Sequence, residues 1–187
     1  MANPTTPENF RSTSIDSFRA DALRKGGVQL ASKYIVDFYT PFGNFTTYPS
    51  EVNLPQRAFV TYDAGQPESL WGTKRKIPIQ NEFDEITMSF IVFQDWAERT
   101  FFEGWMDNII NKESYGSDSV EYSKVYFDYV GKIYISTLLA NSHDTVTSTF
   151  LLEEAYPLSL LPISLTSEST GYTTFVATFA YRKYYFL

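Results

Sequence analysis

The chain has 187 residues, 15 of them basic and 22 acidic, for a formal net charge of -7. That length can bury one sizeable hydrophobic core, and that charge argues against a surface built to grip a phosphate backbone. With no cysteine, disulfides and cysteine-ligated metals are excluded, and the single histidine makes a zinc site an unpromising expectation.

Residues 1–13, with Pro4 and Pro7 among Asn, Thr and Ser, read as a flexible N-terminal arm. They lack the apolar stretch of a signal peptide, and no run of about 18 apolar residues predicts a membrane span. "SIDSFRADALRKGG" then predicts a short helix. Ser14 is the candidate N-cap, Ile15, Phe18 and Leu23 lie near one face, and Arg24 and Lys25 sit where a helix dipole favours cations. Gly26-Gly27 supplies the stop. A helix of about two and a half turns is marginal alone, so it is expected to dock on something.

"SKYIVDFYT" alternates with period two and predicts a strand. "PFGN" carries turn chemistry, and "FTTYPSEVNLP" resumes an extended course. "RAFVTYD" and "SLWGTKRKIPI" flank a loop marked by Gly65 and Pro67. "FDEITMSFIVF" predicts a long strand over about 83–93.

The segment that follows is different in kind. Phe102, Trp105, Met106, Ile109 and Ile110 fall at i, i+3, i+4, i+7 and i+8, which predicts an amphipathic helix over about 95–111. Asp95 is its candidate N-cap, and Glu98 lies at capping-box spacing. Burial of each of those five side chains contributes on the order of 1.5–3 kcal/mol. No second helix is amphipathic enough to pair with this one, so a sheet face is its expected floor. "YGSDSVEYS" reads as a polar loop. Extended runs over about 122–138, 145–155 and 172–186 close the chain, separated by "NSHD" and "YPLSLLPISLTSESTG".

Short connections between successive strands predict antiparallel pairing. The expected fold is α+β, mainly β: an antiparallel sandwich or split barrel with one flanking helix and a short N-terminal helix. Aromatic content of 18% agrees with a β-rich chain.

Catalytic signatures are sparse. His143 lies beside Ser142 and Asp144, but the members of a triad meet in space from separate segments, and an ordinary loop histidine explains the cluster as well. The pairs Asp84/Glu85 and Glu153/Glu154 are able to serve a glycosidase only if two carboxylates face each other across a cleft; otherwise they are solvated or interface charges. Nucleotide-loop, EF-hand and nucleophile-elbow motifs are absent. No cofactor and no catalysis are expected. The one basic run, Lys74, Arg75 and Lys76, is either a solvated strand segment or a contact with acidic groups of an adjacent subunit, and the acidic balance of the chain favours the neighbour.

In their order along the chain, the short N-terminal helix, "YIVDF", "NLP", "KRKIPI", "FDEITMSFIVFQD" and "RTFFEGWMDNI" resemble the tail tube proteins of contractile-tailed bacteriophages of the T-even type. The ending "EEAYPLSLLPISLTSES", followed by an aromatic strand, is similar to the close of that family. The resemblance covers about residues 15–186 and implies that 14–187 form a single tail-tube-like domain. It implies a structural virion protein, made in the host cytoplasm, whose hexameric rings stack into a hollow tube. Its implied partners are other copies of itself, the sheath, the baseplate and a length-setting tape-measure protein. DNA would pass through the lumen without sequence-specific binding, and no membrane is involved.

Tube-initiating baseplate proteins and the tubes of type VI secretion systems and bacteriocins share that fold and stay open as alternatives. From other classes, so do a calycin-like barrel with a small apolar ligand and a β-sandwich glycosidase. In the tube reading, the apolar helix clamps the outside of the sheet and fixes the strands lining the bore.

Overall fold

The computed structural model describes residues 15–25, 27–64, 75–115, 118–140, 145–163, 165 and 171–187. In chain order these form α1 (Ile15–Arg24), β1 (Tyr34–Thr40), β2 (Gly43–Thr47), β3 (Glu51–Val52), β4 (Ala58–Ala64), β5 (Arg75–Glu82) and β6 (Ile86–Ile91). Then come α2 (Ala97–Ile109), β7 (Ile110–Tyr115), β8 (Asp118–Ser123), α3 (Tyr126–Tyr129), β9 (Gly131–Leu138), β10 (Val146–Leu160), β11 (Thr174–Ala180) and β12 (Lys183–Phe186). All the pairings are antiparallel, as the short connections predict.

The main sheet runs β2-β1-β9-β10-β11-β6-β3, with β12 also on β10, and it does not close into a barrel. It folds over on itself instead. Two strands, β9 and β10, separate β1 from β11, which in a flat sheet means about 14 Å. Yet the rings of Phe38 on β1 and Phe179 on β11 have centroids 5.5 Å apart. The β1–β9 half and the β11–β6 half therefore face each other across a shared core.

Strand alternation builds that core. Val36 and Phe38 on β1, Ile133 and Ile135 on β9, Phe175, Ala177 and Phe179 on β11, and Ile86, Met88 and Phe90 on β6 are all buried. The fold-over happens within β10. Its first half pairs with β9 and β12, and its second half with β11. The register shifts at Glu153/Ala155, where Glu154 sits at φ 53. A bulge of this kind bends a strand and increases its twist.

Helix α2 lies where the two halves meet. Phe102 is fully buried, with ring centroids 5.1 Å from Phe38 on one half and 5.0 and 5.4 Å from Phe90 and Phe179 on the other. Trp105 is buried next to it and donates its indole N–H to the Tyr129 carbonyl at 2.8 Å. The helix thus drives aromatic side chains between the two halves rather than clamping an outer face, because the open sheet leaves a seam for them.

The ends of several elements differ from the sequence reading. Helix α2 spans 97–109, not 95–111: Trp96 stands at its N-cap in the left-handed region, and Ile110 is extended. Ile110 is 37% exposed and opens β7, so it leaves the helical stripe. Glu98 closes no capping box; it turns inward, is buried, and approaches the Thr47 hydroxyl at 3.4 Å. Asp95 accepts the Ala97 N–H at 3.3 Å instead.

The "YGSDSVEYS" segment is not all loop, since 118–123 pair with 110–115. The run at 122–138 is interrupted by α3. Strand β6 is shorter than 83–93 because its ladder with β11 stops at Ile86, and Phe83 packs beside Tyr181 and Tyr184. Strand β10 continues through Pro157 to Leu160, beyond the expected 155, and the final run divides into β11 and β12 around Tyr181 and Arg182.

Two glycines have stated geometric work. Gly43, at φ 150, closes the β1–β2 hairpin around Pro41 and Phe42. Gly131 lets β9 approach β1, because a Cβ there would lie 2.5 Å from the Tyr39 carbonyl oxygen.

Candidate assembly surface

The residues considered for chemistry are not gathered into a catalytic cleft among the described residues. Ser142, His143 and Asp144 lie outside those residues. Asp84 and Glu85 are exposed on the link between β5 and β6. Glu153 and Glu154 are each occupied by a cation: Lys183 stands 3.6 Å from Glu153, and Arg182 stands 2.7 Å from Glu154. The hydrogen bond and charge of Glu154 raise the Arg182 pKa. The Lys183 pKa is raised chiefly by a hydrogen bond with Tyr185.

Burial and the adjacent Glu154 carboxylate, to which it is hydrogen-bonded, push the Tyr126 phenol up. Glu154 thus ties α3 and the β11–β12 break to the bend in β10. Its role here is structural, and both carboxylates pair with cations at the β11–β12 break and the start of β12. Among the described residues, no group of acidic or histidine side chains is placed to hold a metal, and no helix is long and apolar enough to cross a membrane. The centre between the halves is filled by the rings of Phe38, Phe90, Phe102, Phe175 and Phe179, which is a packed core rather than the hollow of a ligand-binding barrel.

The remaining expected site residues separate into two groups. Phe102 and Trp105 are buried in the core, whereas Met106 and Ile109 are half-buried and Ile110 is exposed. Lys74 lies outside the described residues, while Arg75 and Lys76 are exposed at the start of β5.

Where the surface is unusual is in what the fold leaves without cover. Strand β2 pairs only with β1, and β12 pairs only with β10. Each therefore presents one free edge among the described residues. The "GNFTT" of β2 has neither charge nor proline, the common means of blunting an edge. Strand β12 ends in the exposed Tyr185 and Phe186, followed by the exposed Leu187.

The β4–β5 hairpin forms its own two-stranded sheet. Phe59, Tyr62, Ile77 and Ile79 on it are 49–67% exposed. A lone two-stranded ladder is marginal in water, so so much exposed apolar surface calls for a partner. Pro78, which cannot donate to a ladder, lies in the irregular stretch where the register shifts opposite Val60/Thr61. Helix α1 also keeps Ile15, Phe18 and Leu23 exposed among the described residues.

This pattern is a self-sufficient core with unfinished edges. Residues 19–187 match the family model described as phage tail tube protein. The chain belongs to the phage tail tube protein family. Its role is that of a structural tail tube component, as the order of its motifs implied.

Solved structures show the same fold at low identity. A chain of the anti-feeding prophage baseplate is 12% identical, with a TM-score of 0.64 and coverage of 86% of this chain and 95% of that one. A chain of the sheath–tube complex of the PVC extracellular contractile injection system, in its extended state, is 17% identical. Its TM-score is 0.60, with 94% of this chain and 99% of that one covered. One from the PVC sheath/tube terminator is 18% identical, with a TM-score of 0.61 and coverage of 84% and 95%. No curated protein matches.

Sequence reasoning did not find the free edges of β2 and β12. An edge is a property of pairing order, and the only local trace was the absence of charge and proline in "GNFTT".

Proposed function

We propose that copies of this tail tube protein close into hexameric rings and that the rings stack as the inner tube of a contractile phage tail. The sheath surrounds that tube, the baseplate starts it, a tape-measure protein sets its length, and DNA passes through it without sequence-specific contacts. The subunit works without catalysis, and the tail is assembled in the host cytoplasm.

The observation that carries this reading is the free edges of β2 and β12 on one sheet of a tail tube family member, whose remaining terminal strand, β3, is only two residues long. A head-to-tail contact between β2 of one copy and β12 of the next satisfies both edges at once and repeats around a closed ring. The net charge of -7 suits a conduit, because a basic bore would hold its cargo. Fold-level likeness to chains from a sheath–tube complex and a baseplate supports those two partners.

Negative-stain microscopy and sedimentation of the purified protein test the proposal. Rings or filaments of uniform width are expected. A protein that stays strictly monomeric at high concentration, with a measurable hydrolytic activity, overturns it.

A further inference from the structure

We infer that Glu154 and Arg182 are positioning residues for assembly: their ion pair holds the β12 edge in the pose that a neighbouring copy pairs with. This rests on the ring reading above, in which β12 is one of the joined edges, and adds the residues that set that edge.

Residue and backbone disagree at position 154. Glu154 stands at φ 53, in the left-handed region, at the bulge where β10 leaves β9. Glycine adopts that conformation without a steric penalty and is the residue that such bulges favour. A side chain kept there at a backbone cost points to work done by the side chain.

Its contacts show where that work is directed. The Glu154 carboxylate accepts from the Arg182 guanidinium at 2.7 Å and is also hydrogen-bonded to the Tyr126 phenol. Glu153 meets the same stretch. Its carbonyl accepts the Arg182 N–H at 3.1 Å, and its carboxylate lies 3.6 Å from the Lys183 ammonium. Arg182 sits in the break between β11 and β12, directly before the first residue of β12. The bend in β10 is thus fastened to the root of the edge strand at two successive residues.

Strand β12 needs that fastening. It has four residues, Lys183–Phe186, and β10 is its only pairing partner among the described residues. A cleft of about 390 Å³, lined by Tyr39, Pro41 and Lys132 together with Glu153 and Glu154, opens beside the bend, so packing leaves that side to the ion pairs. Through Tyr126 the fastening reaches the core. The Tyr126 and Tyr129 rings of α3 stand edge-on to Tyr156, with centroids 6.4 and 5.6 Å away. The Tyr129 carbonyl in turn accepts the indole N–H of the buried Trp105 at 2.8 Å. A continuous set of contacts therefore runs from the seam through α3 and Glu154 to Arg182 and the free edge. The edge takes its direction from the core, where so short a ladder by itself would fray.

Variants of the full chain separate positioning from stability. Glu154→Gly keeps the left-handed backbone without strain and removes the carboxylate. Arg182 is exposed and Tyr126 half-buried, so water replaces the lost contacts. The denaturation midpoint is expected to match the parent's. Hydrogen exchange over residues 182–186 should quicken, and the concentration needed for ring formation should rise by about tenfold or more. Arg182→Ala should do the same, and the double variant should be no worse than either single one, because both remove one contact. Glu154→Gln, which still offers an acceptor oxygen, should recover most of the assembly. Rings formed by Glu154→Gly and Arg182→Ala at the parent's concentration overturn the inference and leave the ring reading intact. So does a loss of assembly that only follows an equal loss of stability, which makes the pair an ordinary folding contact. A parent protein that forms no rings overturns both.

Discussion

The seam around α2 and the β4–β5 hairpin are equally rich in aromatic and aliphatic side chains, and the chain treats them in opposite ways. At the seam, Phe38, Phe90, Phe102, Trp105 and Phe179 are all at most 1% exposed. On the hairpin, Phe59, Tyr62 and Ile79 are 55%, 62% and 67% exposed. The difference is one of layers. The seam has two sheet halves and a helix to close over it, while the hairpin has a single ladder and, among the described residues, no strand paired to it from another sheet. Apolar content alone therefore does not tell folding surface from assembly surface; the number of layers around it does. For a tail tube protein we propose that the division is useful, the subunit folding on one region and offering the other to its neighbours.

Breaking the seam should have the largest effect. Trp105→Ala removes the largest fully buried side chain and leaves the Tyr129 carbonyl without its indole donor. A loss of about 3–5 kcal/mol is expected in chemical denaturation. A neutral result would mean that the seam is stabilised by assembly rather than by the subunit's own packing.

Gly131→Ala tests the same region through the backbone. The new Cβ meets the Tyr39 carbonyl oxygen at 2.5 Å and the Trp105 ring at 3.2 Å, so β1 must move from β9. Overpacking of this kind costs about 1–3 kcal/mol, measured as a shift in denaturation midpoint.

The hairpin should respond in the other sense. Reversing the charges of Lys74, Arg75 and Lys76 to Glu is expected to leave circular dichroism and monomer stability within about 0.5 kcal/mol of the parent, because Arg75 and Lys76 are exposed and exposed charges contribute little to folding. Each exposed pair with a neighbour is worth about 0–1 kcal/mol, but assembly repeats it in every subunit. Sedimentation should therefore show impaired polymerisation by a normally folded protein. Normal tubes would make the run a solvated face and weaken the contrast.

How much of this was legible in sequence follows the same division. Strands β1 and β6 declared themselves through alternation at Val36/Phe38 and Ile86/Met88/Phe90, since each buries one face. Helix α2 was visible because Phe102, Trp105 and Ile109 repeat at helical spacing. The β7–β8 ladder was missed: a two-stranded ladder outside the main sheet has no core imposing an apolar period, and "YGSDSVEYS" read as a polar loop. The second half of β10 was missed because Pro157 argues against a strand, and only the register irregularity at Pro157/Ser159 shows how the sheet accommodates it. The inward turn of Glu98 depends on Thr47, about fifty positions away in sequence, and no local rule would reveal it. Edges and element ends depend on strand order and exposure, which composition does not encode.

The smallest expected effect sharpens the contrast from inside the folded subunit. Tyr181 lies at the break between β11 and β12, its hydroxyl buried and without a hydrogen-bond partner among the described residues. Burial, then the charges of Tyr184 and Asp84, raise its pKa to about 12 from an ordinary value of 10.0. In the unfolded chain the phenol ionises near 10, whereas in the folded chain it stays neutral up to about 12. The contribution is thus fully present below pH 10 and is lost as pH rises towards 12, since only the unfolded state gives up the proton in that window. Tyr181→Phe keeps the ring against Phe83 and removes the unpartnered hydroxyl. At neutral pH its stability should match or exceed the parent's by at most about 1 kcal/mol, because an apolar group replaces a buried polar one that has no partner. Above pH 10 the variant's stability should fall less steeply than the parent's, and one tyrosinate transition near pH 12 should vanish from the near-ultraviolet titration. Identical alkaline profiles for the two proteins would show that the Tyr181 hydroxyl is hydrated in solution, and that the β11–β12 break belongs with the exposed hairpin rather than with the core.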